Sequence, residues 1–193
     1  MKNDIILAGV GGQGILTIAA IVGQAAMSRG MNVKQSEVHG MAQRGGSVVA
    51  HLRLSTEPIY SDLIAAGSAD AVLGVEPMEA LRHVHYLGPA GVLLANTEPV
   101  TNIPDYPDVA DIIARLEDYT RSVVVDAGAL AKEAGSSRAM NMVMLGALSP
   151  FLGLEPEDLI ATIRLAFGRK GDQVVDVNLK AFAAGRDAAA HTW

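Results

Sequence analysis

Ile5-Ile6-Leu7-Ala8-Gly9-Val10-Gly11-Gly12-Gln13-Gly14 decides how this chain begins to fold. The apolar run reads as a buried strand, and the glycines after it read as a tight turn. From Ile15 to Arg29 the apolar residues cover most of a helical circumference. That predicts a helix buried on more than one side, ended by Gly30. Asn32 to Ser36 reads as a second strand, completing a β-turn-α-β unit. Gly9 to Gly14 fits G-x-G-x-x-G after a strand and ahead of a helix. In that setting the first glycine makes the turn, the second lets a ligand approach, and the third lets helix pack on strand. Gly9, Gly11, Gly12, Gln13 and Gly14 are therefore candidate ligand residues, and Glu37 stands where a ribose-binding acid would stand. Glycines serve backbone packing equally well, and the same turn accepts other anions or a partner's loop.

Beyond Ser36 the α/β rhythm breaks. Glu37 to Gly46 is polar and reads as a loop, and Ser47 to Leu54 reads as a strand. An ordinary dinucleotide-binding half would continue into a helix here. The rhythm resumes with a strand at Ala69 to Val75 and a helix from Pro77 to about His85. A turn at Gly88 to Gly91 precedes a strand at Val92 to Ala95. A helix over Asp108 to Asp118, a strand over Ser122 to Asp126 and a helix over Ala127 to Ala134 follow. The last third is helical: Ala139 to Phe151, Glu155 to Phe167 with Pro156 in its first turn, and Gln173 to Ala190. The pattern predicts one α/β domain over residues 1–193, with a mainly parallel sheet, helices on both faces and a helical C-terminal third.

Composition narrows the function. Among 193 residues, 50% are hydrophobic and 19% charged, so the chain buries a core rather than staying disordered. A net charge of -6 with 4% aromatic residues lacks the basic, ring-bearing surface that nucleic acids require. With no cysteine, disulfides, thiolate zinc sites, a cysteine nucleophile and cysteine-ligated iron–sulfur clusters are excluded from this chain. No apolar stretch approaches the ~20 residues that span a bilayer. Met1 to Asp4 has no signal-peptide shape. The expectation is a cytoplasmic protein with neither membrane nor nucleic acid as partner.

Glu37-Val38-His39-Gly40-Met41-Ala42-Gln43-Arg44-Gly45-Gly46-Ser47 is poor core material. It suits a loop facing an anionic ligand or a polar interface, at the sheet edge where open α/β sheets bind ligands. His39, Gln43, Arg44, Gly45, Gly46 and Ser47 join the candidate site on this ground. Arg44 offers a planar fork for a phosphate or carboxylate, or pairs with Glu37. His39 is a proton relay or an anchor, and Gln43 orients a ligand or caps the turn. With the first motif, this segment resembles the gamma-type subunit of 2-oxoacid:ferredoxin oxidoreductases. The second motif is most similar to the small subunit of the indolepyruvate branch. Ala69-Asp70-Ala71-Val72-Leu73-Gly74-Val75-Glu76-Pro77 and Met140-Asn141-Met142-Val143-Met144-Leu145-Gly146-Ala147 extend the resemblance over nearly the whole chain.

The resemblance implies an assembly that decarboxylates a 2-oxoacid on thiamine diphosphate with magnesium. Electrons pass through iron–sulfur clusters to ferredoxin, and the acyl group passes to coenzyme A. It implies that this chain is an accessory subunit with no firmly bound cofactor of its own. It lacks cysteines and a G-D-G…N-N motif, so the redox centres belong to a large partner subunit. Rival readings are a stand-alone NAD(P)-binding oxidoreductase and a regulatory nucleotide-binding module; no Tyr-x-x-x-Lys pair supports the first. Elsewhere, His51 reads as structural, and His83 and His85 are spaced so as not to face each other. Glu76 reads as a helix cap. Met140, Met142 and Met144 read as core or interface filling.

Overall fold

A computed structural model describes residues 1–40, 45–101 and 103–190. The strands are β1 (Lys2–Val10), β2 (Asn32–His39), β3 (Ser47–Ser55), β4 (Ala69–Gly74), β5 (Leu87–Asn96) and β6 (Ser122–Val125). The helices are α1 (Ile15–Ser28), α2 (Pro77–His83), α3 (Val109–Glu117), α4 (Ala127–Glu133), α5 (Met140–Leu148), α6 (Pro156–Phe167) and α7 (Asp172–Ala190). From Asn3 onward every residue of β1 is buried, so this strand must be central. It lies third in one six-stranded sheet, ordered β2-β3-β1-β4-β5-β6. Successive side chains serve opposite faces. Ile5 and Leu7 enter a large core under α1 and the C-terminal helices, while Ile6 enters a smaller one with Val72, Leu93, Ile112 and Leu116 under α2 and α3.

The sheet is mostly parallel: β1, β4, β5 and β6 pair in parallel. β3 is the exception. It runs antiparallel to both neighbours and separates β1 from β2. The two strands of the first β-turn-α-β unit are therefore not adjacent. After α1 the chain lands one place too far out, and the β2–β3 hairpin folds back to fill the gap.

Two differences from the sequence reading bear on the site and the sheet. β2 continues to His39, because its ladder with β3 persists through Glu37↔Ala50 and His39↔Val48. Glu37 and His39 thus belong to a strand rather than a loop. The segment Gly88 to Gly91 lies inside β5, with an irregular register in which Leu87 pairs with Ala69 and Val92 with Ala71. Its backbone is taken into the start of β5, between β4 and β6, and the Arg121 guanidinium donates to the Ala90 carbonyl at 2.6 Å.

The C-terminal third closes the large core. Met142 and Met144 are fully buried, and Met140 packs partly buried against the cluster. α5 and α7 cross with no side chains between them at Gly146 and Gly185. A Cβ at Gly185 would sit 1.9 Å from the Val143 carbonyl oxygen, and one at Gly146 would sit 2.0 Å from that of Phe182. Only glycine permits that approach. No helix among the described residues is long and apolar enough to cross a membrane.

Candidate functional site

The glycine turn and the mouth of the β2–β3 hairpin meet at the C-terminal end of β1. The Gly11 amide donates to the Gly46 carbonyl at 2.8 Å, and the Gly45 amide donates to the Gly11 carbonyl at 3.4 Å. The Gly40 amide closes the hairpin mouth on the Ser47 carbonyl at 3.0 Å. Two stretches far apart in sequence thus form one surface, because β3 begins beside the end of β1: Gly9 pairs with Val48 and Val10 with Ser47. Gln43 and Arg44, named from the sequence, lie outside the described residues.

Gln13 is held by the turn. Its Oε1 accepts the Val10 amide at 2.8 Å, and its Nε2 donates to the Val75 carbonyl at 3.4 Å. The same carbonyl accepts the Asn96 amide at 3.2 Å, and Asn96 Oδ1 accepts the Ala127 amide at 3.1 Å. One polar seam therefore stitches the turn to the ends of β4 and β5 and to the start of α4. Gly14 opens α1 in the left-handed region at φ 81°, and no side chain caps the helix there. The Asn141 amide donates to the Gly14 carbonyl at 3.5 Å, and a Cβ on Gly14 would come within 2.5 Å of that amide nitrogen. Gly12 is exposed at the crest of the turn.

Glu37 lies on the outermost strand, two strands and about 10 Å from β1 at the usual interstrand spacing. Its carboxylate accepts from Gln35 at 3.3 Å and meets His39 Nε2 at 2.9 Å, on one face of β2. Ser47 turns its hydroxyl inward, donating to Glu79 Oε2 at 2.6 Å.

Glu76, read from the sequence as a helix cap, and several residues the sequence did not single out complete this end of the sheet. Glu76 is buried and caps α2 by accepting the Glu79 amide at 2.8 Å; it also accepts the Val100 amide at 3.3 Å and the Tyr106 hydroxyl. Burial, followed by the Glu76 carboxylate, pushes the Tyr106 hydroxyl well above its ordinary range, so it stays protonated and donates. Beside the glycine turn lies a cavity of about 520 Å³ between α1, α5 and α7. Its walls include Gly12, Gly14, Asn141 and Phe167, with Arg138 and Lys170 as cations and no acidic residue. In a chain of net charge -6, an acid-free cavity with two cations favours an anion. Spacing alone did not reveal it, since Arg138 and Lys170 sit in separate short turns.

Among the described residues, His51, His83 and His85 gather around a tyrosine ring rather than as metal ligands. α2 stops at His83, and the turn that follows brings His83 and His85 to the Tyr86 ring, at 6.4 and 4.3 Å between centroids. His51 meets Tyr86 edge-on at 5.2 Å, and its Nδ1 accepts the Ile64 amide at 3.1 Å. Among the described residues no group of three or more His, Cys, Asp or Glu could hold a metal ion. With no cysteine in the chain, the residues present do not fit a cysteine-ligated iron–sulfur cluster.

Residues 4–188 match the family model for pyruvate ferredoxin/flavodoxin oxidoreductase. The chain belongs to that family. Indolepyruvate oxidoreductase subunit IorB of Pyrococcus horikoshii is 40% identical over 97% of this chain and 96% of its own length. The gamma subunit of a keto/oxoacid ferredoxin oxidoreductase from Geobacter sulfurreducens superposes with a TM-score of 0.73 at 25% identity, covering 98% of this chain and 99% of that one. A 2-oxoglutarate:ferredoxin oxidoreductase from Magnetococcus marinus, solved with 2-oxoglutarate, coenzyme A and succinyl-CoA bound, shares the fold at a TM-score of 0.80 and 24% identity; the match covers all of this chain and 32% of that one. Within the pyruvate ferredoxin/flavodoxin oxidoreductase family, this chain is a gamma-type small subunit of a 2-oxoacid:ferredoxin oxidoreductase, on the indolepyruvate side. The comparisons lend no support to a stand-alone NAD(P)-binding oxidoreductase or a regulatory nucleotide-binding module.

Proposed function

We propose that this chain is the non-redox small subunit of a thiamine diphosphate-dependent arylpyruvate:ferredoxin oxidoreductase, working in the cytoplasm. A larger partner carries the thiamine diphosphate, magnesium and iron–sulfur clusters and delivers electrons to ferredoxin. The whole chain acts as one gamma-like unit. Its task is to present the glycine turn and the His39–Ser47 segment beside the partner's active site, where coenzyme A must reach the acyl intermediate. The observation that carries this reading is the pairing of Gly11 with Gly46 beside an acid-free cavity bearing Arg138 and Lys170. Backbone amides of the turn and two cations suit a coenzyme A phosphate. Arg44 would add a further fixed charge.

The test is reconstitution. The purified chain alone should show no arylpyruvate-dependent dye reduction with thiamine diphosphate and coenzyme A. Co-expression with a thiamine-binding, cysteine-rich subunit should give a complex that co-elutes and turns over. In that complex Arg138→Ala with Lys170→Ala should raise the KM for coenzyme A about tenfold or more, as loss of charge-assisted contacts predicts. Turnover by the isolated chain, or failure to co-elute at several salt concentrations, would sink the reading.

A further inference from the structure

Glu79 lies in the first turn of α2 and is only 3% exposed. Its carboxylate is buried beside Ser47, Arg82 and His83. Oε2 accepts the Ser47 hydroxyl at 2.6 Å, and Oε1 accepts Arg82 Nε–H at 3.1 Å. A desolvated carboxylate is costly unless donors compensate, and an apolar side chain would fill the same space without that cost. Ser47 is the donor that links Glu79 to the site. It is the first residue of β3, its carbonyl closes the hairpin mouth on Gly40, and its neighbour Gly46 accepts the Gly11 amide. Glu79 therefore connects to the glycine turn through one side-chain bond and one backbone bond.

α2 is a firm base for such a link. Glu76 caps it, and Ala80 lies so close to Gly74 of β4 that a Cβ there would come within 2.3 Å of the alanine's own. Glu76 meanwhile fastens the segment after β5 through Val100 and Tyr106. The cap and the first turn of one short helix thus hold two separate segments, the start of β3 and the stretch after β5.

We infer that Glu79 is a positioning residue: through Ser47 it locks the hairpin mouth against the glycine turn, so that both form one rigid docking surface before a partner arrives. The docking role rests on the reading of this edge as the face offered to the large subunit. A surface already ordered loses less freedom on association, and that difference appears as affinity.

Ser47→Ala removes the hydroxyl and nothing else, Ser47→Thr keeps it, and Glu79→Gln preserves shape without charge. Amide hydrogen exchange of Gly11 in the isolated full chain reads the lock directly. Exchange should quicken about tenfold or more in Ser47→Ala and Glu79→Gln and stay near wild type in Ser47→Thr, while amides of α5 and α7 keep their protection. In the reconstituted complex the subunit dissociation constant should rise about tenfold with Ser47→Ala and return with Ser47→Thr. Gly11 exchange within twofold of wild type in Ser47→Ala overturns the lock. Faster exchange with an unchanged dissociation constant overturns its purpose in docking. A wild-type chain that binds no large subunit overturns the functional reading, and the exchange result still decides the lock.

Discussion

The α5–α7 crossing and the β2 edge are opposite kinds of structure. At the crossing, backbone meets backbone, and its buried methionines pack in the large core. Along β2 no residue is fully buried: Lys34, Gln35, Glu37, Val38 and His39 are all exposed, Val38 at 60%. The crossing is a place where the chain satisfies itself. The edge strand holds on through its ladder with β3 and a few contacts with α1, leaving its outer edge and most of its side chains unspent. The difference teaches where burial resides: the C-terminal helices close against each other, and the hairpin side keeps an open strand edge and exposed side chains.

The largest effect should come from filling the crossing. Gly185→Val forces side-chain atoms into the Val143 carbonyl and should cost about 3 kcal/mol or more, read from urea unfolding. A loss under about 1 kcal/mol would mean that the helices can slide apart, and the contrast with β2 would weaken.

A smaller effect depends on pH. Burial first, then nearby His83 and Arg53, hold the His51 imidazole below its ordinary range, with Asp62 opposing. The Ile64 amide donates to Nδ1, so protonation also breaks that bond. The unfolded chain binds the proton at about pH 6.5 while the folded chain resists it. Stability from this source is whole above that pH and drains as pH falls toward the folded value. Asp4 acts in a lower window. Burial alone would raise it, but Arg53 and Lys2 outweigh burial and hold it below its usual value, so its contribution is lost only in stronger acid. Urea midpoints measured from pH 8 to 5 should fall less steeply in His51→Gln than in wild type. Equal slopes would show that His51 does not titrate with unfolding.

The smallest effect on stability should come from the exposed edge. Val38→Lys should leave the unfolding free energy within about 0.5 kcal/mol. The same variant should weaken binding to the large subunit if the edge is used for contact. Matching unfolding curves with a raised dissociation constant would sharpen the contrast between the two regions, and a destabilisation above about 1 kcal/mol would erase it.

Much of the architecture was legible because apolar period and turn residues are local signals. β1, α1, β4, α6 and α7 fall within a few residues of where their patterns put them. The place of β3 was not legible. Its alternation shows a strand, but nothing in Ser47 to Ser55 says that it inserts between β1 and β2, since partner choice depends on distant residues. The polar character of Glu37 and His39 likewise concealed their strand, because an edge strand exposed on both faces loses the alternation that marks a buried one. At the candidate site, the motifs pointed to the meeting of two loops. The fastenings behind it, Asn96, Asn141 and the Glu79–Ser47 pair, were hidden because each joins residues separated by dozens of positions.

The central place of β1 bears on how the chain is made. It precedes the other described strands, and both of its flanking strands, β3 and β4, are synthesised after it. An apolar strand without neighbours is exposed to wrong pairing until they arrive. Once the β2–β3 hairpin closes, one flank of β1 is covered, and β4 covers the other. The glycine face of α5 waits longer still, for α7 at the far end of the chain. A nascent chain stalled before Asp172 would already carry all six strands while that helical face stayed bare, an apolar surface open to wrong contacts until α7 closed over it.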